Sequence, residues 1–162
     1  ISYSISKNVR FTENILEENK SARIEIKSFD IAECNLFEKK ELDLKKNEKV
    51  TRINSIGYIN NSPSVITFRS IPHKRFPKFI NHFVKKQSVT KTFNLLNVKK
   101  IIRSKTLINA EISDKIKSNF LNIDVGKPLI KTTSINVDFN KKPIELSESY
   151  FDGSKIQILV KV

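Results

Sequence analysis

No methionine occurs in this sequence, not even at its first position. We therefore expect a piece of a longer protein, with the missing part at least at the N-terminus. The single cysteine, Cys34, excludes an internal disulfide and suits a reducing, cytoplasmic setting. In a helical segment it reads as core filling rather than as a nucleophile. The glycines are Gly57, Gly126 and Gly153, so there is no glycine-rich phosphate loop and no Gly-x-Ser-x-Gly element. No apolar run is long enough to span a bilayer. Ile1-Ser2-Tyr3 does not open a signal peptide, because no apolar core follows it. No membrane partner is expected. His73 and His82 are too isolated to form a metal site with Cys34, and no cofactor or metal is expected. Glu145 and Glu148 lie three apart on a strand, point to opposite faces and do not make a carboxylate pair. These absences favour a binding module over an enzyme.

What is abundant is lysine. The formal charge is +13, a balance that often marks nucleic-acid binding. Here the lysines are spread from Lys7 to Lys161 rather than gathered in a stripe. Arginine, the better reader of phosphate and guanine, occurs only at positions 10, 23, 52, 69, 75 and 103. Lysine, asparagine and isoleucine together look like the codon usage of an AT-rich genome. The charge can still assist a DNA-binding parent or draw in an anionic ligand. At 162 residues the chain suits one domain with a sizeable core.

The chain also repeats itself. Ile31–Pro72 and Ala110–Phe151 each read as a short amphipathic segment followed by two runs joined at a polar turn. Leu42 matches Leu121, Val50 matches Leu129 and Ser55 matches Ser134; Pro63 matches Pro143 after a one-residue shift. Periodicity predicts helices from Phe11, over Ala32–Leu42, over Phe76–Val84, after a Ser88 cap, and from a Ser113-Asp114 cap to Leu121. It predicts strands over Ala22–Asp30, Val50–Ile59, Ser64–Ile71, Lys99–Ala110, Leu129–Phe139, Ile144–Phe151 and Ile156–Val162. Long hairpins with inserted helices give an α+β domain on an antiparallel sheet. Duplication of this kind gives a pseudo-symmetric domain, with a ligand cleft expected between the halves.

Several short motifs, in order, carry a resemblance. They are Arg10-Phe11-Thr12-x-Asn14, Pro72-x-x-Arg75-Phe76-Pro77, Ser88-Val89-Thr90, Arg103-Ser104-x-Thr106-x-Ile108, Gly126-Lys127-Pro128-Leu129 and Pro143-Ile144-Glu145. Together they resemble the effector-binding (UTRA) domain of GntR-type transcriptional repressors of the HutC subfamily, above all regulators of phosphonate utilisation. The resemblance implies a chorismate-lyase-like fold, a small-molecule pocket and no catalysis. It implies a domain over residues 10–162, a linker end at residues 1–9, and an upstream winged-helix DNA-binding domain that this chain lacks. Relatives that bind sugar phosphates place arginine on the first hairpin strand. This chain has Ser55 and Gly57 there, and Arg69 on the second strand instead.

Helix N-termini attract anions through unpaired amides, and two are expected here, at Phe11-Thr12 and at Ser88-Val89-Thr90. Strand alternation groups Thr67 with Arg69, and Glu145 with Ser147, Ser149 and Phe151. An arginine amid Ile66, Phe68 and Ile71 wants a carboxylate or an oxyanion, and its planar fork suits a phosphonate. With the resemblance added, the expected effector contacts are Arg10, Phe11, Thr12, Thr67, Arg69, Ser88, Thr90, Glu145, Ser147, Ser149 and Phe151. Arg69, Ser88 and Thr12 are expected at the anionic head, and Glu145 at an amino or hydroxyl group at the other end. The implied protein is a cytoplasmic, homodimeric repressor that senses a small anion and meets DNA only through the missing N-terminal domain. A chorismate-lyase-like enzyme, a sugar-phosphate or urocanate sensor, and a free-standing interaction domain are the alternatives.

Overall fold

Alternating apolar residues, asparagine-rich turns and a few capped helices set the order of elements. The computed structural model of the chain describes residues 2–5 and 21–160. The helix expected from Phe11, and with it Arg10, Phe11 and Thr12, lies outside the described residues. The elements are β1 (Ser2–Ile5), β2 (Ala22–Glu33), α1 (Leu36–Glu41), β3 (Lys49–Ile59), β4 (Ser62–Pro72), α2 (Phe79–Lys86) and α3 (Val89–Leu95). They continue with β5 (Ile102–Ile112), α4 (Lys115–Leu121), β6 (Pro128–Val137), β7 (Pro143–Asp152) and β8 (Gln157–Val160). The repeat is therefore strand, helix and hairpin, made twice, with α2 and α3 inserted between the copies.

Local chemistry explains most of the boundaries. Asn60 and Asn61 both adopt positive φ, 49° and 63°, which is the two-residue turn that matches strand twist and that asparagine tolerates. The helix expected from Ala32 instead starts at Leu36. Asn35 caps it, accepting from the Glu38 amide at 2.8 Å while the Glu38 carboxylate accepts from the Asn35 amide at 2.9 Å. This reciprocal box fixes the start, and Ala32 and Glu33 stay in β2. The helix expected from Phe76 starts at Phe79, because Pro77 biases the residue before it away from helical backbone. Asp114 caps α4 through the Lys117 amide at 2.8 Å.

Six strands form one antiparallel sheet in the order β2-β3-β4-β7-β6-β5, and β1 pairs in parallel with β8. Each repeat contributes three neighbouring strands, and the halves meet at β4–β7. Phe68 faces Glu148 there, so the two repeats are related by a pseudo-two-fold axis near that pair. The outer strands β2 and β5 each carry a register shift, near Ile26/Ser28 and Arg103/Lys105, which blunts an edge against further pairing.

The two sheet faces bury different material. On one, Ile53 and Ile71 pack under Phe76, Phe79, Phe83, Val89 and Phe93 from α2, α3 and the loop before them. On the other, α1 and α4 pack across the seam. Leu42, at the end of α1, clusters with Ile135 and Leu146 of the second repeat, and Leu121 of α4 clusters with Ile66 of the first. Neither repeat completes its own core.

Glu38 ties α1 to this second face. Arg52 Nε and Nη2 donate to its two carboxylate oxygens at 2.8 and 2.7 Å, and Ser70 Oγ donates at 2.7 Å. Burial pushes the Glu38 carboxyl up, but the Arg52, Asn35 and Ser70 hydrogen bonds outweigh it, and the net effect is a value below the ordinary 4.5. A lowered folded pKa gives stability that is present above the unfolded value and is lost as pH falls through the folded one. Glu38→Gln should therefore make the loss of unfolding free energy below about pH 4.5 shallower, as read by urea denaturation between neutral and acid pH. An acid limb identical to the parent's would contradict this.

Candidate functional site

Antiparallel partners share a face, so the registers assemble a polar band from separate strands. Ser55, Thr67, Ser149 and Thr132 lie in one row across β3, β4, β7 and β6. Arg69, Ser147 and Ser134 lie in the next, followed by Glu145 opposite Asn136. The band occupies the middle of the face that α2 and α3 partly cover. Apolar clusters flank it, with Ile53 and Ile71 at one end and Ile59, Val65, Phe151 and Ile156 at the other.

An ion pair stands at its centre. Arg69 Nε donates to Glu145 Oε1 at 2.6 Å, and Arg69 is 9% exposed while Glu145 is 2% exposed. Arg69 Nη1 donates to Ser55 Oγ at 3.3 Å. The guanidinium carbon lies 5.3 Å from the centre of the Phe83 ring, a cation–π distance. Asn136 Nδ2 donates to Glu145 Oε2 at 2.5 Å. The hydroxyls of Thr67 and Ser149 are 3.0 Å apart, and those of Ser134 and Thr106 are 2.9 Å apart. Burying two charges is costly unless both are paired and hydrogen-bonded, and each of these charges is.

Of the residues expected from sequence, Thr67, Arg69, Glu145, Ser147 and Ser149 meet on this face. Phe151 lies on the same face but closes its apolar end. Ser88 caps α3, its Oγ accepting from the Lys91 amide at 3.4 Å. Thr90 sits half-buried in the first turn of the same helix, and the intervening Val89 belongs to the cluster with Phe83 and Ile53. The structure differs from expectation in one respect. Of the carboxylate or oxyanion expected for Arg69, the structure supplies a carboxylate, and it is Glu145, which was expected at the other end of the effector. Sequence reasoning passed over Asn136 and Thr132 altogether, noted Ser134 only as a repeat match, and noted Ser55 as a repeat match and as standing where relatives carry arginine. The signal for the β6 residues was weak: Asn136 stands between Ile135 and Val137, but Thr132 and Ser134 have Lys131 and Thr133 beside them.

Arg75, in the segment Arg75-Phe76-Pro77, has a different task. Its Nη2 donates to the Asp138 carboxylate and its Nη1 to the Pro143 carbonyl at 3.4 Å. It thereby ties the loop before α2 to the β6–β7 turn. Among the described residues, no group of three or more His, Cys, Asp or Glu side chains is placed to hold a metal ion, and no helix is long and apolar enough to cross a membrane.

The pairing fixes what a single substitution does. Arg69→Ala should destabilise the fold by about 3–5 kcal/mol, because it strands a buried carboxylate. The double change Arg69→Met with Glu145→Leu should recover most of that loss. Chemical denaturation reads both, and an Arg69→Ala protein as stable as the parent would contradict the buried pair.

Comparison with known proteins places this geometry. Residues 17–157 match the family model of the UTRA domain. A probable fructoselysine utilization operon transcriptional repressor of Escherichia coli K12 is 23% identical over 120 residues, 74% of this chain and 49% of that protein. An uncharacterized HTH-type transcriptional regulator of Rhizobium meliloti is 19% identical over 161 residues, 99% of this chain and 66% of that protein. The chain thus spans about half the length of the first of these relatives. Among solved structures, the effector domain of PhnF from Mycobacterium smegmatis superposes with a TM-score of 0.89 at 13% identity, covering 100% of this chain and 99% of that one. A GntR-family transcriptional regulator from Enterococcus faecalis gives 0.79 at 19% identity, covering 86% and 99%. At such identities the likeness establishes the fold.

Proposed function

Because this chain belongs to the UTRA domain family, we propose that it is the small-molecule sensing domain of a DNA-binding transcriptional repressor of the HutC subfamily. The observation that carries the reading is the polar band itself. Ser55, Thr67, Arg69, Thr132, Ser134, Asn136, Glu145 and Ser147 are all buried at the middle of the sheet, where apolar residues of similar size would cost less. A buried band of this kind suits a polar ligand. The relatives are transcriptional regulators, which supports sensing over a lyase reaction on the same fold.

The effector in this reading is a small anion, a phosphonate or a phosphorylated metabolite. Arg69 and the start of α3, with Ser88 and Thr90, hold the anionic head, and Arg10, Phe11 and Thr12 join it from the N-terminal segment. Thr67, Ser147 and Ser149 supply hydroxyls, Glu145 takes an amino or hydroxyl group, and Phe151 bounds the far end. A sugar derivative is the second reading, favoured by the name of the Escherichia coli relative, a fructoselysine utilization operon repressor. The upstream portion carries a winged-helix domain, and the cytoplasmic protein reads two half-sites as a two-fold dimer. Effector binding shifts operator affinity by its differential affinity for two arrangements of that dimer.

A thermal-shift screen of the isolated domain with phosphonates, sugar phosphates and urocanate tests the reading. A ligand at one hundred times its Kd adds about 2.7 kcal/mol and should raise Tm by roughly 5–10 °C. Light scattering on the same sample should read a dimer. A panel in which no phosphonate or phosphate ester moves Tm would contradict the anionic effector.

A further inference from the structure

One acceptor in the polar band is left without a partner. Asn136 faces Glu145 across β6 and β7 and is 1% exposed. Its Nδ2 donates to Glu145 Oε2 at 2.5 Å. That contact fixes the amide's orientation, since turning it over would set Oδ1 against a carboxylate oxygen. Oδ1 is therefore the atom turned away from the carboxylate, and it is buried with no hydrogen-bond partner. A buried acceptor left this way costs about 1–3 kcal/mol. The nearby hydroxyls are committed elsewhere, Ser134 to Thr106 and Thr67 to Ser149. The other side-chain atoms in the same condition, on Thr92, Arg103 and Ser118, belong to helices or the outer strand β5.

We propose that Asn136 is a specificity-determining residue of the effector site, and that its free Oδ1 receives an ammonium group of a zwitterionic effector. This rests on the effector-binding reading of the face. Two features select an ammonium. Glu145 and Asn136 face each other across β7 and β6, each with an acceptor oxygen, and an ammonium brings three donors where a hydroxyl brings one. The charge count agrees, since Arg69 and Glu145 already cancel. A ligand that carries an ammonium beside its anionic head brings less net charge into a buried neutral site than the same anion without it. The anionic end then lies on the Arg69 side and the ammonium on the Asn136 side of one ion pair.

Titration calorimetry with matched probes tests this. The pairs are 2-aminoethylphosphonate against ethylphosphonate, and glucosamine 6-phosphate against glucose 6-phosphate. Within at least one pair the amino member should bind about 10- to 100-fold more tightly, the range for a hydrogen bond to a charged group. Asn136→Leu should shrink that ratio towards one, whatever it does to the affinity of the amine-free member; should the leucine variant fail to fold, Asn136→Ser serves the same comparison. Equal affinities within both pairs in the unmodified protein would overturn the proposal and leave the anionic-effector reading standing. An amino preference that survives substitution of Asn136 would assign selectivity to Glu145 alone and overturn the role of Asn136. Binding of none of the four probes would overturn this inference and the anionic-effector reading together.

Discussion

A buried carboxylate has to meet a positive partner, and in this protein the partner comes from the other half of the sequence. Glu145 on β7 and Arg69 on β4 stand 2.6 Å apart across the seam between the repeats. If the register between these strands slipped by one residue, the two charges would lie on opposite faces of the sheet and lose each other. The ion pair thus specifies the one arrangement of β4 against β7 that places the repeats about their pseudo-two-fold axis. Packing on the opposite face reinforces that arrangement. Leu42 lies on strands of the second repeat and Leu121 on a strand of the first, so each helix finishes the other repeat's core.

This arrangement suits a sensor. The polar band belongs to both halves, with Ser55, Thr67 and Arg69 from the first repeat and Thr132, Asn136, Glu145, Ser147 and Ser149 from the second. α2 and α3 roof the neighbouring apolar part of the same face, with Phe83 against Arg69. A ligand seated there touches both repeats and the inserted helices at once. Whatever it gains from one arrangement of those parts over another is the free energy available for regulation.

Much of the fold was legible because its signals are local. The repeat was visible in Leu42 and Leu121, Val50 and Leu129, Ser55 and Ser134, and each pair occupies matching places in the structure. The Asn60-Asn61 turn and the Ser88 and Asp114 caps follow from side-chain chemistry one to three residues away. The start of α1 was missed because Asn35 and Glu38 form their box inside a segment whose apolar spacing also continues back into β2. The family resemblance rested on ordered short motifs, and the family match over residues 17–157 bears it out.

The candidate site was legible by face but not by contact. Alternation alone grouped Thr67 with Arg69, and Glu145 with Ser147 and Ser149. It gave no register between β4 and β7, which lie 76 positions apart at the ion pair. The direct pairing of Arg69 with Glu145 therefore went unseen, and with it the neutrality of the site. Asn136 was missed for the same reason, since its significance arises only opposite Glu145.

The central claim is that this polar band is where a small molecule binds. Amide NMR of the isotope-labelled domain, titrated with 2-aminoethylphosphonate, tests it most directly. The account predicts shifts concentrated at Thr67, Arg69, Asn136, Glu145, Ser147 and Ser149, and at the start of α3. Shifts confined to the opposite face, around Glu38, Arg52 and Ser70, would contradict it.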